Sequence, residues 1–401
     1  MRVVVTGMGA VSALGVGVPP LWAAARDGRT GVAEAALPRP GSNRVKLAAQ
    51  LKDFSPEAHI DRKALAYHDR FSQFAVVAAD EALAQAALST ADKLGARTSV
   101  IIGTGAGGIT TIDETCYADF VLKERIHPLA VPRFMGSAAA SLVGMRYGCT
   151  GPTFGVTSAC ASATQAIGLG AFLIRAGMVD RAIVGGSDST ITALNIRGWE
   201  SLHVLTPDCP RPFSIGRNGM VLGEGAAIFV LESADAAQAR AAEPLAELAG
   251  FGTSSDAGDL VRLDVEGPAT AMRLALADAG LSPDGIDYVN AHGTGTIAND
   301  INEAEALRRV FGDRLREMPV SSTKPIHGHA LGAAGAIELA VTIMSLREDI
   351  APPTINWLGL DPKVGLDPVP NVARATPIRA AMSNSFAFGG INGCLIVTKA
   401  S

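Results

Sequence analysis

Cys160 is the residue in this sequence whose surroundings are best suited to nucleophilic chemistry. It lies between a strand-like segment, Thr153 to Val156, and an apolar helical pattern that runs from Ala161 to about Ala176. A cysteine at the N-terminus of a helix faces unpaired backbone N–H groups and the positive end of the helix dipole, which favour the thiolate. Taken alone, the pattern also fits a small buried packing residue, because free cysteines are common in protein cores.

Two histidines favour the nucleophilic interpretation of Cys160. His292 follows a predicted strand in the stretch Ala-His-Gly-Thr-Gly-Thr, and His329 follows another in His-Gly-His. A lone histidine in such a loop is more often structural than catalytic. Two of them, with a cysteine at the equivalent place of the first half, favour catalysis. A thiolate can hold an acyl group, and neutral imidazole N–H groups can stabilise a developing negative charge.

The elements that must position these residues occur twice in the same order. The first half reads as a strand at Val3–Val5 that Gly7, Gly9 and Gly15 interrupt, a helix from Phe71 to Ala86, and then buried strands before and after Cys160. The second half begins with a strand near Leu245 and places His329 at the start of a helix rich in alanine and glycine. This order predicts a duplicated α/β unit with a mostly buried sheet in each half. We place the halves at residues 1–244 and 245–401.

Composition excludes several classes of function. The 401 residues include 34 basic and 39 acidic side chains, a net charge of −5, which gives no reason to expect nucleic-acid binding. The five cysteines form no CxxC pair, which argues against a zinc site and a disulfide framework. The glycine loop at residues 103–108 lacks the Lys-Ser/Thr ending of a phosphate-binding loop. With neither a signal-peptide pattern nor an apolar run of membrane-spanning length, we expect a soluble cytoplasmic protein without a membrane partner.

Six short motifs, in this order and spacing, give the sequence a resemblance to a known family. They are Val-Val-Thr-Gly-Met-Gly at 4–9, Ala-Cys-Ala-Ser-Ala at 159–163, Asn-Ala-His-Gly-Thr-Gly-Thr at 290–296, Ser-Ser-Thr-Lys at 321–324, His-Gly-His-Ala-Leu-Gly-Ala-Ala-Gly at 327–335 and Asn-Ser-Phe-Ala-Phe-Gly-Gly at 384–390. Over nearly its whole length the chain resembles the elongating β-ketoacyl-acyl-carrier-protein synthases, the Cys-His-His condensing enzymes of fatty acid and polyketide synthesis. The resemblance implies the thiolase-like fold, a duplicated αβαβα arrangement of five layers with pseudo-twofold symmetry.

The resemblance also implies a role for each matching residue. Cys160 would take an acyl chain from a carrier-protein thioester, and His292 and His329 would assist decarboxylation of malonyl-carrier protein. The backbone N–H groups of Cys160 and Phe388 would hold the oxyanion. Further residues are implied by position: Lys324 and Glu338 to order the histidines, Thr294 and Thr296 to bind the phosphopantetheine arm, and Asn290, Glu338, Ser383 and Asn384 to surround a monovalent cation. His327 replaces a residue that is usually small and polar, and is interpreted as a supporting or surface residue.

Several positions depart from the usual pattern and bear on the acyl substrate. The segment Phe386-Ala387-Phe388 has alanine where fatty acid elongases usually have glycine, Ala106 replaces a bulkier residue at the acyl-pocket wall, and Trp199 replaces a phenylalanine that lines the pocket. The stretch from Gly258 to Asp264 also differs near the carrier arm. These departures favour a specialised-lipid or polyketide ketosynthase, such as the nodulation-factor acyl type, as the alternative to a housekeeping elongase.

The expected partner is an acyl carrier protein, which brings the phosphopantetheine, so that no cofactor of the enzyme's own is expected. We expect a homodimer, or a heterodimer with a paralogue. Four cations are candidates for docking the acidic carrier: Arg62, Lys63, Arg70 and Arg125. A thiolase would need a second catalytic cysteine, but Cys394 lies in a terminal strand, and Cys116, Cys149 and Cys209 match no motif and are predicted to be packing residues. An inactive chain-length subunit would lack Cys160.

Overall fold

The computed structural model describes residues 1–37, 39, 41, 43–260, 264–366 and 368–400. The segment at 258–264 therefore lies partly outside the described residues. The strands are β1 Val3–Ser12, β2 Gly15–Val16, β3 Val32–Glu34, β4 Leu47–Ala49, β5 Thr98–Gly103, β6 Thr153–Val156, β7 Arg181–Asp188, β8 Gly225–Ser233, β9 Ala246–Ser255, β10 Tyr288–Asn290, β11 Val320–Ser321, β12 Ile350–Ala351, β13 Arg374–Ala375, β14 Ala380–Ala387 and β15 Ile391–Thr398.

The α-helices connect these strands and carry most of the small apolar residues. They are α1 Val18–Asp27, α2 Arg62–Leu65, α3 Arg70–Gln85, α4 Ile109–Tyr117, α5 Ala130–Phe134, α6 Ala138–Tyr147, α7 Ser162–Arg175, α8 Ala193–Ser201, α9 Ala234–Ala239, α10 Glu266–Ala279, α11 Ile297–Phe311, α12 Lys324–His327 and α13 Ala334–Glu348. Short 3₁₀ turns at Ala159–Ala161 and Leu331–Ala333 precede α7 and α13. The predicted helix at 71–86 is confirmed as α3, whereas α11 was not predicted.

The main sheet repeats one strand pattern twice. Its order is β11-β10-β14-β15-β9-β1-β8-β7-β5-β6. In the first half, β1 pairs antiparallel with β8 and β8 antiparallel with β7, and then β7, β5 and β6 run parallel to one another. In the second half, β9 pairs antiparallel with β15 and β15 antiparallel with β14, and then β14, β10 and β11 run parallel to one another. The halves meet where β1 pairs with β9. The duplication predicted from the sequence is confirmed.

Two helices, α7 and α13, form the central layer. They pack on each other, α7 also packs on β5 and β7, and α13 on β14 and β8. On the outer faces, α3 covers β1 and β8, and α10 covers β9 and β15. The five layers are therefore outer helices, the strands of one half, the central helices, the strands of the other half, and outer helices again. Because α7 follows Cys160 and α13 follows His329, the central layer brings the two reactive residues together.

The prediction that Gly7 and Gly9 interrupt the first strand was wrong. β1 continues through both glycines to Ser12. A Cβ atom would lie 2.0 Å from the carbonyl oxygen of Ala82 at Gly7, and 2.1 Å from that of Ala78 at Gly9. The glycines therefore allow α3 to approach the strand closely, a role that glycine has inside strands as well as in turns.

Candidate active site

The structure places Cys160 directly beside His329. The Cys160 Sγ atom lies 3.2 Å from Nε2 of His329, and both side chains are buried. Ala159 has a left-handed φ of 48°, which turns the backbone sharply between β6 and the 3₁₀ turn that carries Cys160. The backbone of His329 is fixed at both ends, because its N–H donates to Val221 and its carbonyl accepts from Gly223, each at 2.8 Å.

His292 completes a compact group of three side chains. Its ring lies edge-on to that of His329, with centroids 5.3 Å apart and an angle of 81° between the planes. The Cys160 sulfur and one ring nitrogen of each histidine all lie within 4.8 Å of one another. The three residues identified from the sequence are therefore close enough to act on one reacting group.

Lys324 and Glu338 form a buried ion pair behind His292. The Lys324 Nζ atom lies 3.4 Å from Nδ1 of His292. An ammonium group can only donate, so Nδ1 accepts and the ring proton of neutral His292 resides on Nε2. Burial raises the pKa of Glu338 and the Lys324 cation opposes that rise. Lys324 thus sets the tautomer of His292, and Glu338 balances its charge.

Both histidines are neutral in this site. Burial, and then the charge of Lys324, lower the pKa of His292 and of His329 well below the ordinary value of 6.5. Protonation of a buried imidazole creates a charge that neither water nor a neighbouring carboxylate stabilises, so burial favours the neutral ring. Neutral rings keep an N–H donor and a lone pair available at physiological pH, as the predicted chemistry requires.

Burial at Cys160 opposes the thiolate that a helix N-terminus favours. Burial raises the pKa of the thiol from 9.0 to about 12, although Lys324 lowers it. A helix N-terminus stabilises a nearby anion by at most about 2 kcal/mol, which lowers a pKa by about 1.5. The dipole therefore does not offset the burial, and Nε2 of His329 lies within hydrogen-bond distance of the thiol.

A cavity of about 260 Å³ opens over these side chains. Of the residues predicted to bind substrate, four line it and one does not. Thr294, Thr296, Trp199 and Phe386 line the cavity together with Phe388, whereas Ala106 is not among the described residues that line it. The two threonine hydroxyls lie 2.9 Å apart, and the Trp199 ring stacks on Phe388 with centroids 5.8 Å apart.

Ala106 instead belongs to a loop that a buried carboxylate holds. Its backbone N–H donates to Asp188 at 3.3 Å, and Gly105 and Gly332 donate to the same side chain at 2.8 and 2.7 Å. Gly332 lies three residues after His329, so Asp188 connects the loop of the first half to the reactive turn of the second. Sequence reasoning missed Asp188, which ends a buried strand and has no motif around it.

Glu303 is a second buried carboxylate that sequence reasoning missed. Its two oxygens accept the backbone N–H groups of His292 and Gly293, each at 2.7 Å. One turn earlier on α11, Asp300 accepts the N–H groups of Gly295 and Phe213. The spacing of three residues puts both carboxylates on the same face of the helix, and that spacing was the available signal. Together they fix the loop that carries His292.

Three of the four residues predicted to surround a cation have buried side-chain oxygens without a hydrogen-bond partner. Asn290 and Ser383 pair across the parallel strands β10 and β14, and Asn384 follows Ser383. No described residue hydrogen-bonds to the side chain of Asn290, to Oδ1 of Asn384 or to Oε2 of Glu338. Buried oxygens of this kind are the ligands that hard cations take. The donor set therefore fits a small cation.

The predicted docking cations and the non-catalytic cysteines differ in exposure. Arg62, Lys63 and Arg125 are exposed, but Arg70 is not a free cation, because its guanidinium pairs with the buried carboxylate of Glu224. Cys394 is buried in β15, where burial raises its pKa. Cys116 is exposed, so the expectation that it packs inside was wrong.

Comparison with known proteins identifies the family and the fold. Residues 1–237 match the family model described as Beta-ketoacyl synthase, N-terminal domain, and residues 245–357 match Beta-ketoacyl synthase, C-terminal domain. The chain belongs to the β-ketoacyl synthase family. This ketosynthase is a β-ketoacyl-acyl-carrier-protein synthase, an acyltransferase of fatty acid or polyketide chain elongation, as the sequence predicted.

Two curated relatives match the ketosynthase over nearly its whole length. It is 46% identical to Nodulation protein E of Rhizobium sp. (strain N33) over 396 residues, which cover 98% of each chain. It is 39% identical over 407 residues to 3-oxoacyl-[acyl-carrier-protein] synthase 2 of Staphylococcus aureus (strain N315), with 99% of this chain and 98% of that protein covered.

Two solved structures share the thiolase-like fold of the ketosynthase. The ishigamide ketosynthase/chain length factor superposes with a TM-score of 0.96 at 34% identity, covering 100% of this chain and 99% of that chain. AntDE:AntF, a type II PKS acyl-carrier protein in complex with its ketosynthase, gives 0.90 at 32% identity, also covering 100% and 99%. The predicted fold class is confirmed. Among the described residues, no helix has the length and apolar character needed to span a membrane.

Proposed function

We propose that Cys160 carries the growing acyl chain and that His292 and His329 promote decarboxylation of the malonyl group that extends it. The observation that carries this proposal is the 3.2 Å contact between the Cys160 sulfur and Nε2 of His329 inside a buried cavity. A nucleophile in hydrogen-bond reach of a neutral base, with a second neutral imidazole beside it, fits acyl transfer followed by stabilisation of an enolate.

In the first half-reaction, the acyl group moves from the carrier thioester to Cys160. The sulfur attacks the thioester carbon while His329 accepts the thiol proton, and the new C–S bond forms. The oxyanion is held by the backbone N–H groups of Cys160 and Phe388. When the old C–S bond breaks, the phosphopantetheine sulfur leaves and takes the proton from His329. The base is needed because the buried resting group is a thiol.

In the second half-reaction, a malonyl thioester loses carbon dioxide and attacks the acyl group. His292 and His329 hold the enolate oxygen, and His292 donates from Nε2 because Lys324 occupies Nδ1. The nucleophilic carbon forms a bond to the acyl carbon, the bond to the Cys160 sulfur breaks, and the released thiolate takes up one proton from solvent water. The product is a β-ketoacyl chain on the carrier protein.

The carrier protein supplies the phosphopantetheine arm and is the proposed partner. Thr294 and Thr296 are proposed to hydrogen-bond the arm, and their position in the cavity lining supports this. AntDE:AntF is a ketosynthase in complex with its acyl-carrier protein. Arg62, Lys63 and Arg125 are exposed cations that suit an acidic partner. We exclude Arg70 from the proposed docking residues, because its guanidinium forms an ion pair with Glu224.

A second subunit is proposed to cover the edge of the sheet at β6. This strand ends the strand order, and its residues Thr153 and Phe154 are exposed. An edge strand with an exposed aromatic side chain is usually covered in the assembled protein. The partner is a second copy of this chain or a paralogue. The division into halves at 1–244 and 245–401, and a cytoplasmic location, stay predictions.

A monovalent cation is proposed at Asn290, Glu338, Ser383 and Asn384. The partnerless oxygens of three of these residues support it. When bound, the cation would supply a fixed positive charge that stabilises the loops behind His292 and His329. The backbone pairing of Asn290 with Ser383 holds two of the donors in register without it.

The acyl substrate is proposed to be that of a specialised lipid rather than the housekeeping fatty acids. The identity with Nodulation protein E is higher than that with 3-oxoacyl-[acyl-carrier-protein] synthase 2. The Trp199 ring, stacked on Phe388 at the cavity, narrows the space in which an acyl chain would lie.

The test of the proposed roles is intact-protein mass spectrometry after incubation with acyl-carrier proteins of several chain lengths. We expect an acyl adduct on the wild-type protein that is absent from Cys160→Ala. If no chain length gives an adduct, Cys160 is not the acyl carrier. Separately, Cys160→Gln should still release carbon dioxide from malonyl-carrier protein, and loss of that release would contradict the roles assigned to His292 and His329.

A further inference from the structure

His327 is a buried histidine beside the site for which the mechanism above has no use. Its side chain has no solvent exposure, so the interpretation as a surface residue is excluded. The ring lies between two groups of the same segment. Nε2 is 3.0 Å from the hydroxyl oxygen of Thr323, and Nδ1 is 2.8 Å from the carbonyl oxygen of Gly328.

The two contacts fix the hydrogen-bonding state of the ring. A carbonyl oxygen can only accept, so Nδ1 of His327 carries the proton and donates it to Gly328. Nε2 is then the lone-pair nitrogen, and it accepts from the Thr323 hydroxyl. Burial, with a smaller contribution from Lys324, lowers the pKa of His327 to about 3. The ring is therefore a neutral bridge with one tautomer throughout the physiological pH range.

The bridge spans the short helix that connects two functional residues. Thr323 immediately precedes α12 and Gly328 immediately follows it. Lys324 is the first residue of the helix, and His329 comes directly after Gly328. A helix of four residues has little stability of its own, because nucleation is costly and few hydrogen bonds form. Contacts from outside its own backbone ladder therefore contribute to its orientation, including hydrogen bonds from Gly31 and Thr30 to the carbonyls of Ile326 and Pro325 and the two contacts of the His327 ring.

The backbone at Gly328 and His329 is held by its neighbours and cannot shift to compensate for a change in the short helix. Gly328 has a φ of 71°, and a Cβ atom there would lie 2.6 Å from that of Ala49 and 2.9 Å from the Cα atom of Gly223. His329 is bonded to Val221 and Gly223 on the neighbouring segment. A change in the turn at 324–327 would consequently move Lys324 relative to a fixed His329.

We propose that His327 is a positioning residue that sets the separation between Lys324 and His329 by bridging Thr323 and Gly328. This inference rests on the proposed function, in which Lys324 orders His292 and His329 serves Cys160. A small polar side chain at this position would contact one of the two bridged groups and leave the other unpaired. An aromatic ring without nitrogen would fill the space and contact neither.

The test compares three variants of the full-length enzyme in the condensation assay at 25 °C. His327→Phe keeps the ring volume and removes both hydrogen bonds, and we expect kcat to fall about 10- to 100-fold, the effect of a misplacement of about 1 Å in a catalytic group. His327→Asn places an amide where Nδ1 lies, so it should retain the bond to Gly328 and recover part of kcat. Thr323→Val removes the other bond, with an expected loss of about fivefold.

The Michaelis constant for the carrier protein separates positioning from a general structural role. It should stay within about twofold of wild type in all three variants, because the exposed docking cations are not altered. Leu83→Ala, in the core of α3 and away from the site, is the matched control for lost stability. It should lower Tm by a comparable amount and leave kcat unchanged.

Nitrogen NMR of labelled wild-type enzyme gives a readout that needs no variant. The His327 signals should keep the Nδ1–H tautomer from pH 5 to 9 without titrating. Titration near the ordinary histidine pKa, or a His327→Phe variant with kcat within twofold of wild type, would overturn the inference. If wild-type Cys160 is acylated normally while His327→Phe is unaffected, this inference alone fails. If wild-type Cys160 takes up no acyl group, the proposed function itself fails.

Discussion

Replacing Lys324 with methionine tests how the buried ion pair supports the site. The variant leaves Glu338 buried without its cation, and such a carboxylate takes up a proton instead of remaining charged. Burial already raises the pKa of Glu338 from 4.5 to about 7 while Lys324 is present, and removal of the cation raises it further. A carboxyl whose folded-state pKa is raised contributes stability below its unfolded pKa, and this contribution is lost as pH rises through the folded pKa.

The loss of stability should therefore grow with pH. Between the unfolded pKa and about pH 7 the wild type and the variant lose stability together, because Glu338 is protonated in both folded proteins. Above pH 7 only the variant continues to lose about 1.4 kcal/mol per pH unit. We expect the destabilisation of Lys324→Met relative to wild type to be about 1.4 kcal/mol larger at pH 8 than at pH 5.5. Urea unfolding of wild type and variant at both pH values measures the difference. Decarboxylation of malonyl-carrier protein should be lost at both, because His292 loses the donor to Nδ1.

Two further variants make this prediction refutable. Lys324→Met combined with Glu338→Leu removes both charges and should recover most of the stability without recovering activity. Lys399→Met is the matched control, because Lys399 forms an exposed ion pair with Asp349, and it should cost less than about 1 kcal/mol at either pH. An equal loss of stability at pH 5.5 and pH 8, or an active double variant, would refute the reasoning.

Three other predictions follow from the site. Glu303→Gln removes one of the two acceptors that hold the His292 loop and should lower the decarboxylation rate about 10- to 100-fold, whereas Glu305→Gln, on an exposed ion pair of the same helix, should leave the rate unchanged. The rate of Cys160 alkylation by iodoacetamide should rise about tenfold per pH unit from pH 6 to 9, because the thiol pKa is raised to about 12; a plateau below pH 8 would show a thiolate instead. Trp199→Ala should shift the preferred acyl chain in the adduct assay to a longer one, and an unchanged preference would exclude Trp199 as a determinant of length.

The sequence predicted the reactive pair because local patterns carry that information. Cys160 and His329 each precede a helix of small residues, and the duplicated order places the two helices, α7 and α13, side by side. The close packing of α3 on β1 was not predicted from the sequence. Gly7 and Gly9 were interpreted as strand breaks, whereas they leave room for the helix backbone.

The parts of the site that were not predicted depend on tertiary contacts. Glu303 and Asp300 lie on a helix that looks polar in sequence, yet both carboxylates are buried against the loop of His292. Asp188 reaches the turn after His329 from a distant strand. The raised pKa of the Cys160 thiol was not predicted for the same reason. The dipole of a helix is readable from sequence, but the burial that outweighs it is not.

The central claim is that one site transfers an acyl chain to Cys160 and then extends it by decarboxylation. In the most direct measurement, malonyl-carrier protein is added to the isolated acyl-enzyme. The amounts of two products, carbon dioxide and β-ketoacyl-carrier protein, are then measured. The account predicts equal amounts of both, and neither extension nor acylation in Cys160→Ala. Carbon dioxide released from the wild-type acyl-enzyme without a new carbon–carbon bond, or β-ketoacyl product formed by Cys160→Ala, would contradict it.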